Sequence, residues 1–219
     1  MKQSFLTLII AGTVLAGCTT DPFTGEQKVA NTAIGAGAGA GVGAIGGAII
    51  GAAVGADARK AALIGGGLGL LTGTGIGMYM DNQEAKLRRQ LQGTGVSVSR
   101  MGDSIVLNMP SNVTFDSDQA DVKPQFYATL NSVSAVFKEY KQTLINVVGH
   151  TDSTGDTNHN YDLSRRRAAS VAQYLSAQQL DAHRFSVEGH GASDPVASNA
   201  SPSGRAQNRR VEITILPLT

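Results

Sequence analysis

The chain has 219 residues, with 18 Lys and Arg against 17 Asp and Glu, for a formal net charge of +1. That balance excludes a charge-driven nucleic-acid protein, and an aromatic content of 5% without tryptophan argues against a stacking platform for bases or sugars. A single cysteine excludes an internal disulfide or a multi-cysteine metal site, and the length leaves room for one ordinary domain with appended segments.

The chain begins Met1-Lys2, and an apolar run follows from Phe5 to Val14. At about ten residues this run is too short to span a bilayer and has the length of a signal-peptide core. Leu15-Ala16-Gly17-Cys18 then resembles a bacterial lipobox. The resemblance implies a signal peptide over residues 1–17 and acylation of Cys18, which becomes the mature N-terminus. Several acyl chains anchor firmly where one alone binds marginally. Thr19 stands where Asp would favour inner-membrane retention, so the same resemblance implies a lipid anchor in the outer membrane, facing the periplasm. Residues 18–30 are expected to be a polar tether.

Residues 31–80 hold a glycine-rich block whose glycines keep register: Gly35, Gly39, Gly43, Gly47, Gly51 and Gly55, then Gly65, Gly69, Gly73 and Gly77. A charged break, Asp57-Ala58-Arg59-Lys60, separates the two runs. A four-residue repeat places glycines along one helical stripe, and the residues between them are Ala, Ile, Val and Leu rather than the Ser and Asn of a flexible linker. Each glycine costs a helix about 1 kcal/mol relative to alanine, so the pattern makes sense where another backbone lies against the stripe, as in paired membrane helices. The block is read as a glycine-zipper helical hairpin. Gly41-Val42-Gly43-Ala44-Ile45-Gly46 matches a dinucleotide fingerprint by chance, since no strand precedes it.

Residues 81–93 turn charged and read as a short amphipathic helical linker, broken by Gly93-Thr94-Gly95. From residue 94 strand patterns begin, and a domain over 94–219 is expected. Val96 to Arg100 and Ser104 to Met109 flank a hairpin turn, and Pro110 to Gln119 form a polar loop. A helix after Pro124 buries Phe126, Leu130, Val133 and Phe137. Thr143 to Gly149 is a buried strand, Asn158 to Gln178 a second helix, and Phe185 to Glu188 and Val211 to Leu216 are further strands. This order predicts an α+β fold: a mixed four-stranded sheet with helices on one face.

The segment most suggestive of chemistry runs from His150-Thr151-Asp152 through Asn160 to Leu163-Ser164-Arg165-Arg166-Arg167. At about 100° per residue, Ser164, Ala168, Val171 and Leu175 form the core stripe of the second helix. Asn160 and Arg167, seven apart, share one side of it, whereas Arg166 points to solvent and Arg165 lies on the opposite flank. Of the three arginines, only Arg167 can act with Asn160 and the Asp152 loop. A carboxylate at the loop and a guanidinium on the helix suit a ligand group carrying both an amine and a carboxylate.

These residues resemble the signature of the OmpA-like domain, with Phe115-Asp116-Ser117-Asp118 and Asn208-Arg209-Arg210-Val211-Glu212 matching its other motifs in order. The lipobox, glycine zipper and OmpA-like domain in succession are similar to the YiaD type of lipoprotein. The resemblance implies non-covalent binding of peptidoglycan through the diaminopimelate of stem peptides. Asp152 would accept from its ammonium, and Arg167 would grip its carboxylate as a two-point fork that lysine cannot reproduce. Arg209 would add a second carboxylate contact, Asp118 would stand at the pocket mouth, and Thr151, Thr154, Asn160 and Leu163 would line the pocket. The partners implied are peptidoglycan and the outer-membrane lipid around acylated Cys18, with copies of the chain pairing through the zipper. A rival reading makes the zipper an oligomerising assembly element in the bilayer, with wall binding only as an anchor.

No enzyme, metal or cofactor is expected. Asp152, Thr154 and Asp156 start like a calcium loop, but Thr157 and Leu163 occupy its glycine and glutamate positions. His150, His159, His183 and His190 have no metal-site spacing. Ser164, His150 and Asp152 lack a nucleophile elbow.

Overall fold

The computed structural model describes residues 18–20, 27–29 and 56–219. The signal segment and the first glycine run, Gly35 to Gly55, lie outside the described residues. Within the expected polar tether, two short strands, β1 (Cys18–Thr20) and β2 (Gln27–Val29), pair antiparallel with Cys18 opposite Val29.

The C-terminal unit carries a five-stranded sheet made from β3 (Ser97–Met101), β4 (Ser104–Pro110), β5 (Thr143–His150), β6 (Phe185–Gly189) and β7 (Arg210–Pro217). Its order is β3-β4-β7-β5-β6, with β5 and β6 parallel and the other pairs antiparallel. The expected sheet had four strands. The fifth arises because the hairpin of β3 and β4 joins the sheet directly, β4 pairing with β7 from Ile105 opposite Ile215 to Pro110 opposite Arg210.

One face carries the main core. Ile105, Leu107, Ile145, Val147, Val211, Ile213 and Ile215 meet Leu130, Val133 and Phe137 of α4 (Tyr127–Glu139) and Ala168, Val171 and Leu175 of α5 (Thr157–Ala177). Asp156 caps α5, accepting from His159 N at 2.9 Å, which starts the helix one residue before the expected Asn158. The helix lies unusually close to the sheet because β5 and β6 present glycine beneath it. A Cβ on Gly149 would stand 1.9 Å from Ser164 O, and one on Gly189 would stand 2.6 Å from Arg165 Cβ.

Two expectations about the upstream segment need correction. Residue 93 is not the edge of the packed unit: α2 (Thr74–Gln90) buries Met80 and Leu87, followed by Leu91, in the same core, and Tyr79 Oη accepts from Gln142 N at 3.0 Å. The second glycine run is also not one helix. α1 (Ala56–Gly65) ends at Gly65, the backbone turns through Gly67 at φ 92° and Gly73 at φ 57°, and α2 starts at Thr74. Positive φ breaks a right-handed helix, so Gly65, Gly69, Gly73 and Gly77 do not share a stripe.

The apolar residues between them fold back on their own domain. Leu63 and Leu68 cluster with Leu144, Leu216 and Leu218, and Leu71 N donates to Leu218 O at 2.8 Å. Leu144 faces opposite its strand neighbour Ile145, so α1 covers the sheet face away from the main core, where Arg59 Nη1 donates to Asn146 Oδ1 at 3.1 Å. Helices therefore lie on both faces. Among the described residues, no helix is long and apolar enough to cross a membrane.

Candidate ligand-binding site

A cavity of about 730 Å³ opens beside the end of β5. Its walls come from the segment after β4, the 151–155 loop, the first turns of α5, and α6 (Pro202–Asn208) with its cap Arg209. All eight residues named from the sequence line it: Asp118, Thr151, Asp152, Thr154, Asn160, Leu163, Arg167 and Arg209.

The Asp152 loop is held by its own side chain and by the helix. Asp152 Oδ1 accepts from Thr154 N at 2.9 Å, closing an Asx turn. Asn160 Nδ2 donates to Thr154 O at 2.8 Å and to Asp152 O at 3.4 Å, so its amide holds the loop's shape. Thr151 N donates to Gly191 O at 2.8 Å. The other carboxylate oxygen, Asp152 Oδ2, accepts from Arg209 Nη1 at 2.6 Å. Burial pushes the Asp152 carboxyl up, but the Arg209 hydrogen bond and the Thr154 N–H outweigh it and hold the group below the usual carboxylate range.

Of the three consecutive arginines, Arg167 is 4% exposed, while Arg165 and Arg166 are exposed. Arg167 has a structural task. Its Nε donates to Gln119 O at 2.8 Å and its Nη2 to Asp116 O at 3.3 Å, and the guanidinium lies 5.2 Å from the Phe115 ring centroid. These bonds pin the 115–119 loop to α5. They leave Nη1 without a protein partner among the described residues. Burial lowers the Arg167 pKa, with Asp118 opposing, yet a guanidinium stays charged at any working pH.

The expected polar loop after Pro110 is more ordered than its composition suggested. It contains α3 (Ser111–Thr114), and Phe115 is 2% exposed and bridged to Val122. Asp118, at φ 57°, sits at the mouth, its Oδ1 2.7 Å from His159 Nε2. The carboxylate is therefore paired with an imidazole through one oxygen, while its side chain stays 65% exposed.

One curated relative, the probable lipoprotein YiaD of Escherichia coli K12, is 51% identical over 219 residues, covering 99% of each chain. The chain belongs to the YiaD lipoprotein family. A sequence profile of the OmpA family matches residues 114–209, and one of the YMGG-like Gly-zipper matches residues 1–81. The peptidoglycan-binding protein ArfA of Mycobacterium tuberculosis is 40% identical over 103 residues, 47% of this chain and 32% of that protein. Among solved structures, the cell wall anchor of the T6SS from Pseudomonas aeruginosa superposes with TM-score 0.56 at 34% identity, over 61% of this chain and 99% of that one. Neither of the two matching profiles describes a catalytic family.

In this family member the C-terminal motif has a clear physical basis. Asn208, fully buried, accepts from Val196 N and Ala197 N and donates to Ala197 O and Asn199 Oδ1, each at 2.9 Å. This clamp sets the end of α6 and presents Arg209 to Asp152. Arg210, 3% exposed, bonds Glu212 Oε1 at 2.6 Å and takes no part in the cavity.

Sequence reasoning missed Ser111, Asn112, Lys123, His159 and Arg205, which also line the cavity. A signal existed for Arg205: Ser201-Pro202 is a helix start, and Ser201 Oγ accepts from Gly204 N at 3.0 Å. Ser111 Oγ and Thr151 Oγ1 are buried at the wall without a partner among the described residues. A second hollow of about 440 Å³, lined by Arg88, Arg89 and Val98, has no carboxylate and so lacks the paired charges.

Proposed function

We infer that the cavity binds peptidoglycan by gripping the side-chain end of a stem-peptide diaminopimelate, and that the chain links outer membrane to wall through acylated Cys18. The observation that carries this reading is the ion pair of Asp152 and Arg209, 2.6 Å long, with Arg167 lining the same cavity. Its arginine side is 40% exposed and its carboxylate 10% exposed, so a ligand can reach the pair from the arginine side.

A zwitterion entering there replaces one internal pair with two: its ammonium bonds Asp152, and its carboxylate takes Arg209 and the remaining Nη1 of Arg167. A ligand of single charge leaves one partner unmatched in a half-buried site, where an unpaired charge is costly. Nothing in this arrangement requires bond making or breaking; the site holds its ligand. The likeness to ArfA, a peptidoglycan-binding protein, and to the cell wall anchor from Pseudomonas supports the same assignment.

The test is a sacculus pull-down of wild type, Asp152→Asn and Arg167→Lys, with free diaminopimelate as competitor. Retention of both variants at the wild-type level, or no competition by diaminopimelate, overturns the pocket assignment. Membrane linkage is read separately: Cys18→Ala should leave the outer-membrane fraction while keeping sacculus binding. The match of the Gly-zipper profile to residues 1–81 supports a second role, pairing of copies, seen as a crosslinking ladder that Gly43→Leu with Gly47→Leu removes.

A further inference from the structure

A separate cluster of polar groups forms where two parallel strands end. β5 and β6 pair with Gly149 opposite Gly189, so His150 and His190 leave the strands side by side. His190 N donates to Gly149 O at 3.0 Å, and the two imidazoles meet edge to face with centroids 5.4 Å apart. Asp194 reaches back so that its Oδ2 lies 2.6 Å from His190 Nδ1. One ligand atom from each of His150, His190 and Asp194 lies within 4.8 Å of the other two. None of the three lines the cavity described above.

His150 makes this more than a surface pairing. It is 4% exposed, and neither ring nitrogen has a partner among the described residues. A buried polar group left unsatisfied costs about 1–3 kcal/mol, so an orphan imidazole beside a histidine and a carboxylate calls for a ligand.

We propose that His150, His190 and Asp194 bind a divalent transition-metal ion of the zinc class. Two imidazole nitrogens and one carboxylate oxygen match the donor preference of such ions, and three protein ligands leave a fourth tetrahedral position for water. On the far edge of the His190 ring, Glu188 Oε2 lies 3.2 Å from Nε2 and would hold the proton there, turning Nδ1 toward the ion. The surrounding charge favours a cation: Glu188, Asp194 and Glu212 stand nearby against one guanidinium, Arg210. That guanidinium is already tied to Glu212 Oε1 at 2.6 Å and to Asn208 O and Asp194 O.

Metal–ligand distances of about 2.0–2.2 Å put neighbouring ligands roughly 3.4 Å apart, so the cluster needs only a small rotation of His190 and Asp194 to close on the ion. Binding would fasten the end of β5 to the loop that accepts from Thr151 N, and so stiffen the residue next to Asp152. Local spacing could not reveal the site, because pairing of two distant strands creates it.

The experiment is equilibrium dialysis of the full chain in detergent against micromolar zinc chloride, with bound metal counted per chain and imidazole nitrogen resonances recorded. Wild type should bind about one zinc and shift His150 and His190, with affinity weakened roughly tenfold or more in His190→Ala and Asp194→Asn. His183→Ala, an exposed histidine beside Asp181, should bind as wild type. If His190→Ala does not fold, the Asp194→Asn variant decides, since that side chain is 57% exposed. No zinc bound by wild type, equal binding by both variants, or loss in His183→Ala overturns the proposal.

Discussion

Replacing Asp152 with asparagine separates the ligand-binding role of this residue from its part in the fold. The isosteric amide keeps Oδ1 as acceptor for Thr154 N, so the Asx turn at 2.9 Å persists. What disappears is the negative charge facing Arg209 and, on the proposed reading, facing the ligand ammonium. Because the Arg209 side chain is 40% exposed, water screens the lost pair, and its contribution to stability is about 0.2–1 kcal/mol. In a unit of this size that lowers the melting temperature by no more than about 4 °C. A charge-assisted hydrogen bond to the ligand is worth about 1.5–3 kcal/mol, which converts to a roughly 10- to 150-fold loss of affinity. Calorimetric titration with a diaminopimelate-containing muropeptide, beside a thermal melt, reads both quantities. Unchanged affinity, or a melting loss as large as the binding loss, would refute the reasoning.

Other perturbations probe the supports of the site. Asn160→Leu removes the donor to Thr154 O and should cost about 1–3 kcal/mol in urea unfolding, with weaker sacculus binding although the residue's amide is spent on the loop. Gly149→Ala drives a Cβ to 1.9 Å from Ser164 O and should destabilise by about 3 kcal/mol or more, visible as a lost yield of folded protein. A chain beginning at residue 94 loses the burial of Met80, Leu87 and Leu91, each worth up to about 1.5–3 kcal/mol, and should unfold at clearly lower urea than one beginning at residue 56. Acid should act through Asp152. Its carboxyl is held below the usual range when folded, so its stabilisation is fully present above the unfolded value of about 4 and is lost as pH falls through the depressed folded value. Sacculus binding should therefore persist at pH 5 and fall only in stronger acid.

Much of this protein was legible along the chain because the signals are local. Alternating strands, a 3.6-residue core stripe and an arginine seven positions from Asn160 are set by backbone geometry, and they locate β5 and α5 and the side of α5 that carries Arg167. The glycine register is likewise a linear pattern, yet its second run does not form one helical stripe. The tertiary structure decided whatever depends on which distant segments meet. It added the β3–β4 hairpin to the sheet, and it packed α2 against the domain that its charged sequence only adjoined. It bent the second glycine run at Gly67 and Gly73, and it assigned Arg167 to the carbonyls of Asp116 and Gln119 and Arg209 to Asp152. The same holds for His150 and His190, which forty residues of sequence separate and one parallel register joins. Periodicity specifies which face of an element is buried. It does not specify what lies against that face, because that choice belongs to the packing of the whole domain.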